Sequence, residues 1–399
     1  LAALHKNLRS MMEASPLMDA ASYTAALEAG YEAALAASDA ADPALSPEAC
    51  VRLSIALKRF FAAGDLRQAL AASDALLAAG KAAREVWRLA AGLYIDAEEG
   101  ENAERAAQLY LAEREDGFGL LLHARAVFLL GRWCEALDDA QRALSLGSLA
   151  NSERTLAYNL IARIQRSIGE VEEALLAEKA SFDIAETQAD RASAWSNYLF
   201  ALHYVEREPR FMLDAAHRYS RLFADVPPIG HTRSRCEKIR IGYISPDFCF
   251  HIVALFSFAF FTHFDRERFE VYGYSLSGEN AMAAELSSHA SAWRYVGGGT
   301  AAEIAEKIRA DAIDILFDLS GHTDGGHGLA TLGYKAAPVQ VSGLGYMSTS
   351  GLKAVDYYLS DIFLDPQGKG DAHFSEKLVR LSHSHFCYTP FEEVFKSTI

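Results

Sequence analysis

The sequence has few cysteines and no long hydrophobic run. Its 399 residues include five cysteines, which are widely separated and form no Cys-x-x-Cys pair. This pattern argues against a disulfide framework or a zinc ribbon and predicts free thiols in a reducing compartment, hence a cytoplasmic protein. The longest nearly apolar run, residues 253–261, is far shorter than the roughly 20 residues that a membrane helix needs. We therefore predict no membrane-spanning segment.

The chain also lacks an excess of positive charge. It has 38 Lys and Arg against 53 Asp and Glu, for a formal net charge of -15. A phosphate backbone would be repelled overall, so general nucleic-acid binding is not expected. A hydrophobic content of 51% predicts a globular chain with two or three domains. The sequence begins at Leu1 and stops at Ile399 soon after a new apolar run, and we expect it to be part of a longer protein.

Residues 1–225 are rich in Ala and Leu and predict helix throughout. The pattern Gly-x-x-x-Glu-Ala-Leu, with Gln for Glu in one copy, begins at Gly64, Gly131 and Gly169, and a weaker copy begins at Gly100. Steps of 36, 31 and 38 residues are close to the roughly 34-residue period of tetratricopeptide helix pairs. We predict an α-helical solenoid of this type, which presents a long surface for binding proteins. An ordinary helical bundle is the alternative.

Residues 226–237 form the predicted linker, and residues 238–399 form an α/β domain in which strands alternate with helices. Buried parallel strands are predicted at 239–245, 269–276, 313–319 and 338–344, with further strands at 293–296 and 355–360. The predicted fold is a Rossmann-like lobe that follows the solenoid. In such a sheet the turns after the strands lie at the carboxyl edge, where ligands bind.

Three of these turns carry the candidate functional residues. After the first strand come Asp247 and His251. The imidazole lies at a helix start, where it can bind an anion, take a proton from a hydroxyl, or simply cap its own helix; Asp247 either caps the helix or orients His251. The second and third turns are polar and glycine-rich, as a loop that approaches a ligand requires. Their predicted substrate contacts are Gly321, His322, Thr323, Leu344, Gly345, Tyr346, Thr349, Ser350 and Gly351.

Other motifs support structural interpretations. His322 and His327 lack nearby partners at metal-ligand spacing, so we predict no metal site there. The run of glycines at 297–299 fits a flexible turn better than a phosphate loop. Residues 383–387 alternate as an edge strand would, with a metal site as the alternative. A Gly-x-Gly-x-x-Gly motif, a P-loop and a Gly-x-Ser-x-Gly elbow are not seen, which argues against dinucleotide, nucleoside-triphosphatase and hydrolase chemistry.

Several stretches in the same order resemble the N-terminal catalytic lobe of the O-linked N-acetylglucosamine transferase family, and the preceding tetratricopeptide array fits that family too. The resemblance covers about residues 53–390. It rests on residues 240–248, His251, 265–272, 314–323, 337–342, 344–346, 349–351 and 356–357, and on 215–217 in the connecting helix.

The resemblance implies half of a two-lobed GT-B glycosyltransferase that is inverting and needs no metal or other cofactor. The donor would be UDP-N-acetylglucosamine, and the acceptors would be Ser or Thr hydroxyls of proteins presented by the array. His251 would lie at the active site, and the backbone around Leu344 and Gly345 would contact the donor sugar. The second lobe, with most of the UDP site, is expected to follow residue 399, so the chain alone is expected to be inactive.

The sequence departs from the family pattern at Phe250, where a polar residue is usual, and at Gly343, where Trp is usual. These departures motivate an alternative function, a helical-repeat scaffold whose lobe has lost catalysis. The donor sugar, the acceptor proteins and the oligomeric state are not determined by the sequence.

Overall fold

A computed structural model describes residues 20–40, 45–227, 229–230 and 237–389. Part of the predicted linker, the beginning of the predicted solenoid and the end of the predicted α/β domain lie outside these residues. None of the described helices is both long enough and apolar enough to cross a membrane.

The first part of the described chain is helical, as predicted. Short turns join successive helices, and the small alanines that recur in them are buried at the helix contacts. The bounds are α1 Ala20–Ala40, α2 Pro47–Ala62, α3 Leu66–Ala79, α4 Arg84–Asp96, α5 Gly100–Glu113, α6 Gly117–Leu129, α7 Trp133–Ser145, α8 Asn151–Ser167, α9 Val171–Ile184, α10 Gln188–Ala201 and α11 Pro209–Arg221.

The repeat glycines lie in the turns within helix pairs. Gly64, Gly131 and Gly169 have φ values of 75°, 74° and 90°, in the left-handed region that glycine adopts without strain. The weaker copy at Gly100 is wrong in register, because Gly100 is the first residue of α5 and the equivalent left-handed residue is Glu98, at φ 59°. The turn residues therefore stand at 64, 98, 131 and 169, in steps of 34, 33 and 38. This spacing fits the tetratricopeptide period better than the sequence motif does.

The second part of the chain is a parallel sheet of seven strands with helices between them, which confirms the predicted fold class. The strand order is β3-β2-β1-β4-β5-β6-β7. The bounds are β1 Ile239–Ser245, α12 Ile252–Thr262, β2 Phe269–Ser275, α13 Ala281–His289, β3 Ala292–Tyr295, α14 Ala301–Ala310, β4 Ile315–Asp318, α15 His327–Leu332, β5 Val339–Gly343, β6 Tyr357–Asp361 and β7 Lys377–Leu381.

The predicted edge strand at 383–387 is wrong. The edge strand is β7, which pairs in parallel with β6, and residues 383–387 follow it without strand pairing. The alternation there has a different cause. His385 turns inward and bonds to Asp361, whereas Phe386 turns outward to Phe256 of α12, with ring centroids 5.2 Å apart.

By compactness the chain divides into two units at Glu153 and Arg154, within α8 and not in the predicted linker. The reason is that α10 and α11 pack on the sheet domain. Trp195 and Tyr219 from these helices share one apolar core with Ile244, Leu316 and other residues of the sheet region. That residues 226–237 link the helical repeats to the α/β domain stays a prediction.

The glycine run at 297–299 follows β3 and precedes α14, which begins with a capping box between Thr300 and Glu303. The three glycines are not equivalent. A Cβ atom on Gly297 would stand 2.0 Å from the carbonyl oxygen of Leu276, whereas one on Gly298 would meet nothing within 4 Å. The run is thus a tight turn at its first residue, where backbone approaches backbone.

We expect Gly297→Ala to lower the free energy of unfolding by about 1–3 kcal/mol, the usual cost of overpacking. The reason is that the atom with which the new Cβ would clash is a backbone oxygen, which cannot rotate away. Gly298→Ala is the matched control and should change it by less than about 0.5 kcal/mol. Urea denaturation measures both. Equal effects in the two variants would show that the close approach at Gly297 does not exist in solution.

Candidate functional site

The strand order reverses between β1 and β4, and this is where open α/β sheets bind ligands. The two strands are neighbours, with Ile244 opposite Asp318. Ser245 ends β1, Asp318 ends β4, and the following loops begin within two residues of them. The chain thus places its first and second polar turns side by side at the switch point.

A hydroxyl pair holds Asp247 in place at this point. The hydroxyl of Ser320 donates to Asp247 Oδ2 at 2.8 Å and lies 2.8 Å from the hydroxyl of Ser245, which accepts the backbone N–H of Asp247 at 3.0 Å. Two adjacent strands therefore fix one carboxylate. Asp247 does not cap α12, whose N-cap is His251, so the capping role, which the sequence favoured, is wrong, and the orienting role stays a prediction.

His251 is the N-cap of α12, and its side chain is about half exposed. Its Nδ1 accepts the backbone N–H of Val253 at 3.3 Å and lies 3.6 Å from Asp247 Oδ1. His251 thus caps its own helix, as one of the predicted alternatives has it. Because Nδ1 accepts a hydrogen bond, the proton of the neutral ring sits on Nε2. In this arrangement Nε2 is a donor.

Asp318 is a buried acid that the sequence analysis did not select. It accepts the amides of Gly321 at 2.8 Å and Ser320 at 3.4 Å and the hydroxyl of Ser342 at 3.2 Å. Burial raises the pKa of Asp318 to about 6, while the two amides and Ser342 oppose the shift. The signal in the sequence was an acid within the apolar run ILFDL, because an acid there must be paired or neutralised.

His322 is fully buried, and both of its ring nitrogens are engaged. Nδ1 lies 2.9 Å from the hydroxyl of Ser196 in α10, and Nε2 lies 2.8 Å from the carbonyl of Ser350 in the third turn. Because a carbonyl only accepts, Nε2 carries the proton and Nδ1 accepts from Ser196. Burial lowers the pKa of His322 to about 4. The predicted substrate contact stays a prediction, without a free ring nitrogen to make it.

The loops after β4 and β5 lie directly against each other. Gly321, at φ 60°, would carry a Cβ only 2.4 Å from the Cβ of Tyr346, whose hydroxyl is 2.9 Å from His203 Nε2. The amide of Gly345 donates to the carbonyl of Leu319 at 2.9 Å, so it is not free for a sugar in this structure. Leu344 has φ 71°, a strained value for a residue with a Cβ, and such strain is typical of functional loops.

The end of the third turn is bound to one buried acid. Glu376 accepts the hydroxyls of Thr349 and Ser350, the former at 2.6 Å, and also the amide of Ser350 at 2.8 Å. Gly351, at φ 67°, lies so close to α11 that a Cβ would stand 2.3 Å from the backbone of Ala216. These three predicted substrate contacts are buried, and the structure uses them to fasten the loop.

Solvent reaches the third turn in its middle. Met347 and Ser348 line a cavity of about 320 Å³ together with His203, His373 and Phe374. Neither Met347 nor Ser348 was among the predicted contacts. At the switch point, Asp247, His251 and Thr323 are at least partly accessible. The predicted residues therefore separate into an accessible group near β1 and β4 and a buried group that shapes the loops. The side chain of Asp324, in the predicted loop after β4, lies outside what the structure describes.

Within the described chain, the sheet edge holds no group of three His, Cys, Asp or Glu side chains close enough to share a metal ion. The acids there are engaged with amides and hydroxyls.

The sequence and fold of this chain are similar to those of known glycosyltransferases. Residues 224–396 match the model of glycosyl transferase family 41. The chain is 34% identical over 214 residues to the probable UDP-N-acetylglucosamine–peptide N-acetylglucosaminyltransferase SPINDLY of Arabidopsis thaliana. This match covers 51% of this chain and 23% of the relative. It is 33% identical over 153 residues to the UDP-N-acetylglucosamine–peptide N-acetylglucosaminyltransferase of Caenorhabditis elegans, covering 38% of this chain and 13% of that one. The chain thus spans about a quarter or less of these relatives.

One solved structure is similar over most of the chain. It is a mutant of the Thermobaculum terrenum O-GlcNAc transferase, with a TM-score of 0.67 and 29% sequence identity, and the match covers 77% of this chain and 59% of that one. The likeness includes helices as well as the sheet, because the sheet region alone is too short to reach this coverage.

The buried neutral His322 predicts a loss of stability in acid. Its pKa is about 4 when folded against an ordinary 6.5, so above pH 6.5 both states are neutral. Between pH 6.5 and 4 only the unfolded state takes up the proton, which lowers the free energy of unfolding by up to about 3 kcal/mol. Hydrogen exchange of peptides from β4 and β5 measures this.

His322→Asn removes the titration and should flatten the pH dependence, although it lowers stability at neutral pH. His289→Asn, at an exposed histidine, is the matched control and should leave the profile unchanged. An unaltered slope in His322→Asn would contradict the assignment of a neutral buried ring.

Proposed function

We propose that the protein transfers N-acetylglucosamine from UDP-N-acetylglucosamine to Ser or Thr hydroxyls of other proteins, because residues 224–396 match the model of glycosyl transferase family 41. The observation that carries this proposal is the coincidence of the family match with the polar site at the switch point, where Asp247, His251 and Ser320 converge. The acceptor would be presented by the helical repeats, whose extended surface suits a polypeptide. A cytoplasmic location fits the free cysteines.

His251 acts in this proposal as a hydrogen-bond donor. Its Nε2–H is the free end of the ring, because Nδ1 is occupied by the amide of Val253. A donor at the start of α12 is placed to stabilise negative charge on the sugar nucleotide, and the helix dipole adds to this. The proton of the acceptor hydroxyl then passes to an oxygen of the donor diphosphate as the C–O bond to the sugar forms and the UDP leaves.

Asp247 lies beside His251. Held by Ser320 and Ser245, its carboxylate stands 3.6 Å from Nδ1, which is beyond hydrogen-bond range, so its effect on the ring is electrostatic. This supplies the polar partner that Phe250, which is exposed, does not. We infer a single displacement at the sugar carbon, which inverts its configuration. Hydrogen-bond donors take the part that a metal cation would otherwise play.

The two roles of His251 predict different mutant behaviour. His251→Gln places an N–H donor near the position of Nε2 and should keep transfer within roughly 10-fold of the parent, whereas His251→Ala should lose roughly 10²–10³-fold in kcat, the usual cost of one such donor. Transfer of labelled N-acetylglucosamine to a Ser-containing peptide, measured with the natural protein in full, tests this. Equal and large losses in both variants would instead make His251 the general base.

Calorimetric titration with UDP and UDP-N-acetylglucosamine separates binding from chemistry. The natural protein in full should bind both, and this chain alone should bind them more weakly if the second lobe shares the site. A protein that neither binds UDP nor transfers sugar would be the scaffold, and the proposed reaction would be abandoned.

A further inference from the structure

Three facing helices of the repeat region bring a histidine and two acids together, far in sequence from the sheet. Glu104 of α5, His123 of α6 and Glu135 of α7 each offer a ligand atom, and these atoms lie within 4.8 Å of one another. The turn residues place α5 in one helix pair and α6 and α7 in the next. The cluster therefore bridges two adjacent repeats.

The orientation of His123 is fixed by a fourth side chain. Nδ1 lies 2.6 Å from Oδ2 of Asp139, and both side chains are only 12% exposed. The ring proton sits on Nδ1 and is donated to this carboxylate, so the lone pair of Nε2 points away from Asp139. A carboxylate behind a histidine is the usual support for a metal-binding imidazole.

The free ring nitrogen faces another acceptor. Nε2 lies 3.7 Å from Oε1 of Glu104, which is too long for a hydrogen bond. Two ligands that each stand about 2.1 Å from one tetrahedral zinc ion are about 3.4 Å apart. The spacing between the nitrogen and the oxygen is thus close to the one that a shared cation would set.

At present a guanidinium neutralises the acids. Arg132 donates to both oxygens of Glu104 at 2.8 Å and to Glu135 at 2.6 Å. Its side chain is 42% exposed, and solvent screens ion pairs at such positions. Displacement of the arginine into solvent would leave two carboxylates and one oriented imidazole.

We propose that Glu104, His123 and Glu135 form a binding site for a divalent cation of the zinc class, with Asp139 as the group that orients the imidazole. Three protein ligands of mixed imidazole and carboxylate type, with water as the fourth, suit Zn²⁺. The bound ion links neighbouring repeats and stiffens the array there. This proposal is independent of the sugar-transfer reaction, whose site lies at the sheet edge.

Calorimetric titration of ZnCl₂ into the chain, after stripping with EDTA, tests the site. The parent should show one strong site. His123→Ala should lose it, and Asp139→Asn should weaken it by 10- to 100-fold, the usual effect of removing a supporting carboxylate. Arg132→Gln should tighten it by at least three-fold, because it removes the competing cation. A salt-bridge network without a metal function predicts no gain from the last substitution.

Two control variants should leave the strong site unchanged. His289→Ala removes a partly exposed histidine that lies beside Glu285 and Phe258, away from the cluster, and Cys134→Ser removes the exposed thiol beside Glu135. If His123→Ala fails to fold, His123→Gln replaces it, and circular dichroism confirms the helices. An unchanged isotherm in the His123 variant, or loosened binding in Arg132→Gln, would overturn the proposal.

Discussion

Buried carboxylates at the ends of the strands are the constraint on which the candidate site depends: Asp318 and Asp361 end β4 and β6, and Glu376 directly precedes β7. Loops that leave a parallel sheet have backbone amides without strand partners, and each such amide needs an acceptor. Asp318, Asp361 and Glu376 provide these acceptors: Asp318 for the second turn, Asp361 for the turn after β6, and Glu376 for the third turn. The loops take their shape from acids beneath them and not from their own sequence.

The same constraint explains why the polar residues of the site differ so much in accessibility. Residues that meet the acids are drawn inward, as Thr349 and Ser350 are, and the residues between anchors stay at the surface. His322 is drawn inward in the same way by partners outside its own loop. Its neutral ring is hydrogen-bonded both to Ser196 of α10 and to the third turn. At the switch point the carboxylate of Asp247 is held from the side by hydroxyls and left partly open.

Much of the architecture was predictable because it follows from local periodicity. The turns at Gly64, Gly131 and Gly169 and the limits of β1 and α12 agree with the sequence patterns, since backbone freedom and apolar runs are local properties. Glu98 was missed because its left-handed conformation is imposed by the packing of neighbouring helices on a residue that does not favour it. The edge strand was misplaced because alternation at 383–387 arises from one inward histidine, which a two-residue period cannot distinguish from pairing.

The candidate site was only partly predictable for a different reason. The position of Asp247 and His251 follows from their place after β1, but the burial of His322 and of 349–351 depends on Glu376 and on α10 and α11, which are distant in sequence. The close contact of Gly351 with the backbone of Ala216 has an evolutionary consequence. Because no larger side chain fits between them, a helix exchanged from a relative at this position would have to preserve the same close backbone approach.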